Sequence, residues 1–121
     1  MSATLDSVTI EVVGDQDPET SYLDQAEFAD RRAEYRRGDF DFVGVRLIAE
    51  IVIPGGYVDG RSSFSITQTI TTPGLWSIES DSGEDYFRSV ADDEAETLRE
   101  MLAELNVSGT FDPDTIPLAY R

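Results

Sequence analysis

Residues 73–105 carry the clearest alternation of apolar and polar positions in the chain. Phe87, Val90, Ala91, Leu98, Met101, Leu102 and Leu105 recur at i, i+3, i+4, i+7 spacing, the signature of one helix face. Asp85, Asp92, Asp93, Glu96, Glu100 and Glu104 fall on the opposite face. The pattern predicts a helix buried on one side and acidic on the other. Ser82 with Asp85, or Asp81 with Glu84, has capping-box spacing at its start, and Asn106 and Gly109 mark its end. Glu94 falls inside the apolar stripe, where an unpaired carboxylate is costly. It therefore reaches water from the stripe edge, pairs with Arg46, or belongs to a site.

Elsewhere the period is two. Residues 7–13 read as a strand, and residues 40–53 as the strongest strand, long enough to bend, with Gly44 as a bulge that switches its face. Residues 63–71 set Phe64, Ile66, Gln68 and Ile70 against Ser65, Thr67 and Thr69, which predicts an antiparallel partner for 40–53. Residues 54–60 read as the hairpin connection, and Leu75, Trp76 and Ile78 as a short extended segment. Between the first two strands a helix is expected over residues 22–37. Thr20 or Ser21 would cap it, a Glu27–Arg31 pair support it and Gly38 stop it. Its apolar positions divide between two lines, predicting a thin interface. The tail, residues 108–121, either docks Phe111, Ile116, Leu118 and Tyr120 loosely or is mobile. The sum is one α+β domain over residues 1–121 with its core at about 7–107. It should hold an antiparallel sheet of three to four strands and two helices, the second lying across one face.

Composition changes the picture chiefly through charge. The chain has 121 residues, 25 acids, nine arginines and no lysine, for a net charge of −16. At 40% hydrophobic residues it can still bury a core. Such a field repels nucleic acid and anionic membrane and attracts basic surfaces. Arg31, Arg32, Arg36 and Arg37 form the one basic cluster, but acids surround them and internal pairing is expected. Without His or Cys, imidazole bases, thiol nucleophiles, disulfides and the usual zinc ligands are missing. Asp15, Asp17 and Glu19 alternate as in a calcium loop, yet Thr20 and Ala26 stand where that loop needs Gly and Glu. Neither Ser62-Ser63 nor Ser80 and Ser82 has a lysine to form a dyad. Among 25 acids, paired carboxylates are bound to arise by chance and carry little information. No enzyme, cofactor or metal is expected. The N-terminus lacks the basic and apolar regions of a signal peptide, and no run approaches the ~20 apolar residues of a membrane span, so a soluble cytoplasmic protein is expected.

The segments DPETSYLDQAEF, RRGDFDFVGV and TTPGLWSIESDSGEDY resemble a family of small acidic proteins encoded by phages, plasmids and their hosts. The likeness covers residues 17–105 and is most distinctive at residues 74–86. It brings no catalytic residues with it. What it implies is a mobile-element origin and a defence-inhibitor role of the anti-CRISPR or anti-restriction type.

Two functions follow as expectations. In the first, a non-enzymatic binding protein lays Asp85, Asp92, Asp93, Glu96, Glu100 and Glu104 in a basic, nucleic-acid-binding groove of a partner, without binding nucleic acid or membrane itself. Trp76 and Tyr86 are its rim anchors, although a lone Trp is more often ordinary core. In the second, an accessory protein of a salt-adapted or GC-rich organism uses its acids for hydration alone. A small-ligand cleft near Glu94 and Arg46 is a third arrangement, and the oligomeric state is open. Thermal unfolding separates the first two: the binding protein is well folded at low salt, whereas a salt-adapted chain folds only in molar potassium chloride.

Overall fold

A computed structural model describes residues 3–55, 57–58, 61–62 and 64–121. In chain order the elements are β1 (Thr4–Gly14), 3-10 turns at Ser21–Asp24 and Ala26–Phe28, α1 (Ala29–Arg37), β2 (Phe42–Pro54) and β3 (Tyr57–Val58). They continue with β4 (Arg61–Ser62), β5 (Ser65–Thr71), β6 (Leu75–Glu79), α2 (Glu84–Glu104) and β7 (Leu118–Tyr120). β3 and β4 pair as a small antiparallel ribbon between β2 and β5. Gly56, Asp59, Gly60 and Ser63, which belong to the expected hairpin connection and strand start, lie outside the described residues.

β2 is the centre of the sheet. β1 runs antiparallel along one side of it, from Thr4↔Val52 to Gly14↔Val43. The other side is shared: β6 pairs with the first part of β2, and β5 with the second, from Ile48↔Thr71 to Pro54↔Ser65. The tail corrects the expectation of loose docking. It forms β7, parallel to β1 at Ile10↔Leu118, with Ile10 N–H donating to the Pro117 carbonyl at 2.8 Å and Arg121 N–H to that of Val12 at 2.8 Å. The α+β class holds, but the main sheet has five strands and is mixed, not antiparallel throughout.

Strict alternation places the core. Val45, Leu47, Ala49 and Ile51 leave β2 on the same side as Val8, Ile10 and Val12 of β1, and all are buried. Phe87, Val90, Ala91, Ala95, Leu98 and Leu102 of α2 close over them. Each large side chain so buried contributes about 1.5–3 kcal/mol. The predicted stripe is therefore the packed face of a 21-residue helix. Among the described residues no helix is long and apolar enough to cross a membrane.

The two ends of α2 are closed in different ways. Its N-cap is Gly83, with no side-chain capping bond, so neither expected capping box forms. The Ser82 hydroxyl instead donates back to the Glu79 carbonyl at 2.6 Å, and Asp81 is drawn to Arg31. At the other end Asn106 takes the left-handed conformation (φ 56°). Asn106 N–H then donates to the Ala103 carbonyl and Val107 N–H to that of Leu102, the paired bonds of a Schellman stop.

Two further expectations are corrected. Gly44 does not switch the face of β2. The irregularity lies in β6, where Trp76 and Ser77 together stand opposite Gly44, and Ser77 has φ 60°. Gly44 is small because the Trp76 ring lies on it: a methyl group there would overlap the indole. The predicted helix over residues 22–37 is also broken, α only from Ala29. In an unbroken helix Tyr22 and Phe28 would point about 120° apart. The two 3-10 turns bring their rings to 5.2 Å, edge to face, in a second small core with Leu23, Tyr35, Phe40 and Phe42. The Glu27–Arg31 pair does not form, whereas Gly38 ends α1 at φ 82° as expected.

Gly44→Ala should therefore push the indole off the sheet. The expected outcome is destabilisation of about 1–3 kcal/mol and a red-shifted Trp76 emission, checked by denaturant unfolding and fluorescence.

Candidate partner-binding face

At 100° and 1.5 Å per residue, the six predicted acids occupy a sector of α2 about 120° wide and about 28 Å long, opposite the core. All six are exposed. The two arginines of α2 are spent within the molecule. Arg88 donates to the Ile116 carbonyl at 3.1 Å and pairs with Glu84 at 3.5 Å. Arg99 pairs with Glu96 at 2.8 Å and lies over the Phe111 ring. Among the described residues Asp85, Asp92, Asp93, Glu100 and Glu104 have no cation partner, so the outward face of α2 is nearly unneutralised.

Trp76 and Tyr86 line one groove near the N-terminal end of this stripe, with the indole on the Gly44–Arg46 face of the sheet, opposite α2. Trp76 is 37% exposed and Tyr86 45%, so the lone Trp is not core. With Leu75, Tyr22 and Glu79 they line a shallow groove of about 290 Å³ along the β6 edge. The indole is fixed on three sides. It lies on Gly44, its Nε1–H donates to the Pro73 carbonyl at 2.8 Å, and the Arg46 guanidinium stands 5.9 Å from its ring centre. Leu75, 47% exposed, belongs to the groove as well; its place in an apolar stretch gave no sign of that.

The groove is held to α2 by Glu94, whose carboxylate accepts the Gly74 N–H at 2.6 Å. Arg46, the other partner considered for it, pairs with Glu11 at 2.6 Å on the far face of the sheet. Glu94 thus anchors the turn from which β6 starts. The bulge in β6 is held from the other side. Ser77 N–H donates to Asp15 Oδ2 at 2.8 Å, and the Ser77 hydroxyl accepts the Glu19 N–H at 2.8 Å. Asp15 also accepts the Asp17 N–H, and the Glu19 carboxylate accepts the Ser21 N–H at 2.9 Å; the Ser21 side chain and then this N–H lower the Glu19 pKa. The alternating acids that suggested a calcium loop organise turns and hold this bulge.

Arg31 clasps α1 to the β6–α2 connection. Its guanidinium meets Asp81 through two bonds, at 2.8 and 3.1 Å, and reaches Glu34 at 2.6 Å and Glu79 at 3.3 Å while covering the Phe40 ring. The Tyr22 hydroxyl donates to Glu79 at 2.8 Å, and burial, with that bond, pushes its pKa up to about 12. Arg32 donates to the Leu23 carbonyl and Arg37 to Asp39. Three of the four clustered arginines are therefore committed internally.

Comparison with protein-family models, curated proteins and solved structures gives no match to this chain.

The Arg31 bond holds the Asp81 carboxyl below its ordinary value of 3.8. A depressed carboxylate pKa contributes stability that is complete above the unfolded value and lost as pH falls through the folded one. Asp81→Asn should accordingly lower the thermal midpoint at neutral pH, and the gap from the parent should narrow as pH falls below the ordinary carboxylate range.

Proposed function

We propose that this is a non-enzymatic acidic binding protein whose α2 face occupies, and so blocks, a basic nucleic-acid-binding surface of a partner. One observation carries the reading: exposed carboxylates fill one sector of a single helix, and of that helix's own arginines Arg88 is drawn to the tail while Arg99 neutralises only Glu96. One strand of duplex DNA presents about eight phosphates over the same ~28 Å, at ~3.4 Å each. Six carboxylates over that length supply most of that charge on a rigid, packed support. Lys and Arg side chains arranged for a DNA backbone meet a comparable field here. The Trp76–Tyr86 groove adds an apolar anchor at one end, where water is excluded most readily on contact. The resemblance to mobile-element proteins supplies the class of partner, a host defence nuclease complex, and hence an inhibitor of the anti-CRISPR or anti-restriction type acting in the cytoplasm.

A second reading, surface hydration alone, rests on its own observation. Asp6, Asp24, Asp30, Asp112 and Asp114 are exposed on β1, the 3-10 turns, α1 and the tail, so acids are not confined to α2. Competition for DNA on defence nuclease complexes separates the two. The protein should lower DNA occupancy, more strongly at low salt. The triple variant Asp92→Asn/Glu96→Gln/Glu100→Gln should lose that effect, while Asp6→Asn/Asp24→Asn/Asp30→Asn keeps it. Equal competition by both triples, or equal loss in both, overturns the face-specific reading.

A further inference from the structure

Three strands leave a side of the main sheet open, and two of them are blunted. β7 is three residues long. β6 has five residues, is interrupted by the Trp76–Ser77 bulge and carries Glu79. Short length, bulges, charges and prolines are the devices by which proteins stop sheet edges from pairing with other chains. β5 has none of them. Its seven residues, SITQTIT, pair with β2 without a register shift, and β5 ends the sheet on its outer side. They lie within residues 62–78, the longest uncharged run of a chain in which 28% of residues are charged.

On its α2 side β5 is bordered by apolar side chains together with Gln68 and Asn106. Ile66 is 49% exposed, and Leu105, just past α2, is 56% exposed. Between β5 and the end of α2 lies a groove of about 580 Å³ lined by Ile51, Ile53, Ile70, Leu105 and Val107. β5 also reads the same in both directions about Gln68, as Ile-Thr-Gln-Thr-Ile over residues 66–70. In an antiparallel pairing of two copies about a two-fold axis at Gln68, Ile66 faces Ile70 of the partner subunit and Thr67 faces Thr69 of the partner subunit. Threonine–threonine and matched β-branched pairs are favourable cross-strand neighbours. The contact is isologous, as a closed dimer requires.

We propose that β5 is a homodimerisation edge, at which two copies of this chain pair antiparallel to form one continuous sheet, with Ile66 of each copy packed beside the groove of the other. Charge singles out the second copy as the occupant. Two chains of net charge −16 repel over most of their surfaces, and this strand, which carries no charge of its own, is where they meet with fewest opposing carboxylates, the neighbouring Glu50 being held by the Thr69 hydroxyl at 3.0 Å. This proposal is independent of the α2 reading and has the opposite salt dependence. Added salt screens the repulsion between copies and tightens the dimer, whereas it weakens capture of a basic partner.

Sedimentation analysis of the full chain from micromolar to millimolar concentration, at low salt and in molar potassium chloride, tests it. The expected result is a monomer–dimer equilibrium that shifts toward dimer with salt. Ile66→Glu, which sets carboxylates within the paired edge, should weaken it by about tenfold or more. Asp92→Asn on α2 should not weaken it. Hydrogen exchange on the unmutated protein gives a second readout that does not depend on the variant folding: the outward amides of β5, those of Ser65, Thr67, Thr69 and Thr71, should lose protection on dilution while those of β1 keep it. A chain that stays monomeric throughout, or a dimer that Ile66→Glu leaves unchanged, overturns the proposal. Protection of β5 that appears only with an added extended peptide assigns the edge to a different partner and overturns it too.

Discussion

Val45, Leu47, Ala49 and Ile51 all leave β2 on one side, and the rest of the molecule depends on that alternation running unbroken. A one-residue slip would turn this set toward the opposite face and put Arg46, Ile48 and Glu50 under α2. β1 fixes the register continuously from Val43 to Glu50, with a shift only between Leu5 and Ser7, while β5 and β6 divide the other side between them. The division lets β6 bend away at its bulge without disturbing the strand it pairs with. It also places Trp76 in one groove with Tyr86 near the N-terminal end of α2. The acidic helix and the aromatic groove are neighbours because both are seated on the same strand.

The chain manages its charge by assigning most of its arginines to particular internal tasks. Arg31 gathers three carboxylates from two segments, Arg46 covers the buried Glu11, and Arg88 and Arg99 fasten α2 to the tail. The exposed ion pairs among these contribute little stability individually, whereas Arg46 compensates a buried carboxylate that would be costly alone. Their larger effect is on the surface. Each cation held inward leaves outward carboxylates unneutralised, most densely on α2. The same distribution underlies both proposals: the α2 face gains field strength, and the uncharged β5 edge stands out against it.

Much of the fold was legible because its signals are local. The 3.6-residue period of α2, the alternation of β2 and β5 and the Gly38 stop each reside in a few consecutive residues. What escaped was decided across the chain. Asp81 has the spacing of a cap but is claimed by Arg31, 50 residues away in sequence. Gly44 looks like a bulge until Trp76 is placed upon it. The three residues of β7 carry no strand signal of their own and become a strand only against β1. The six acids of the candidate face were readable as a helical sector, whereas the groove beside them needed Glu94, Asp15 and Ser77 to be located in space. Leu75 gave no sign, since an exposed leucine and a buried one read alike in sequence.

The parallel pairing of β7 with β1 has a kinetic consequence. Residues 10–12 meet residues 118–120 across roughly a hundred residues of intervening chain, whereas β2 and β5 are joined by a short ribbon. Closing so long a loop costs entropy that only a preformed docking surface can offset. That surface includes Arg88, which holds the Ile116 carbonyl, and Phe87, whose ring meets Tyr120 edge to face. Both belong to α2, so seating α2 first is the route on which the last strand adds with the least entropic cost. On that ground folding is expected to proceed outward from β2 and to end at β7, with the β1 side of the sheet sealed in the final step.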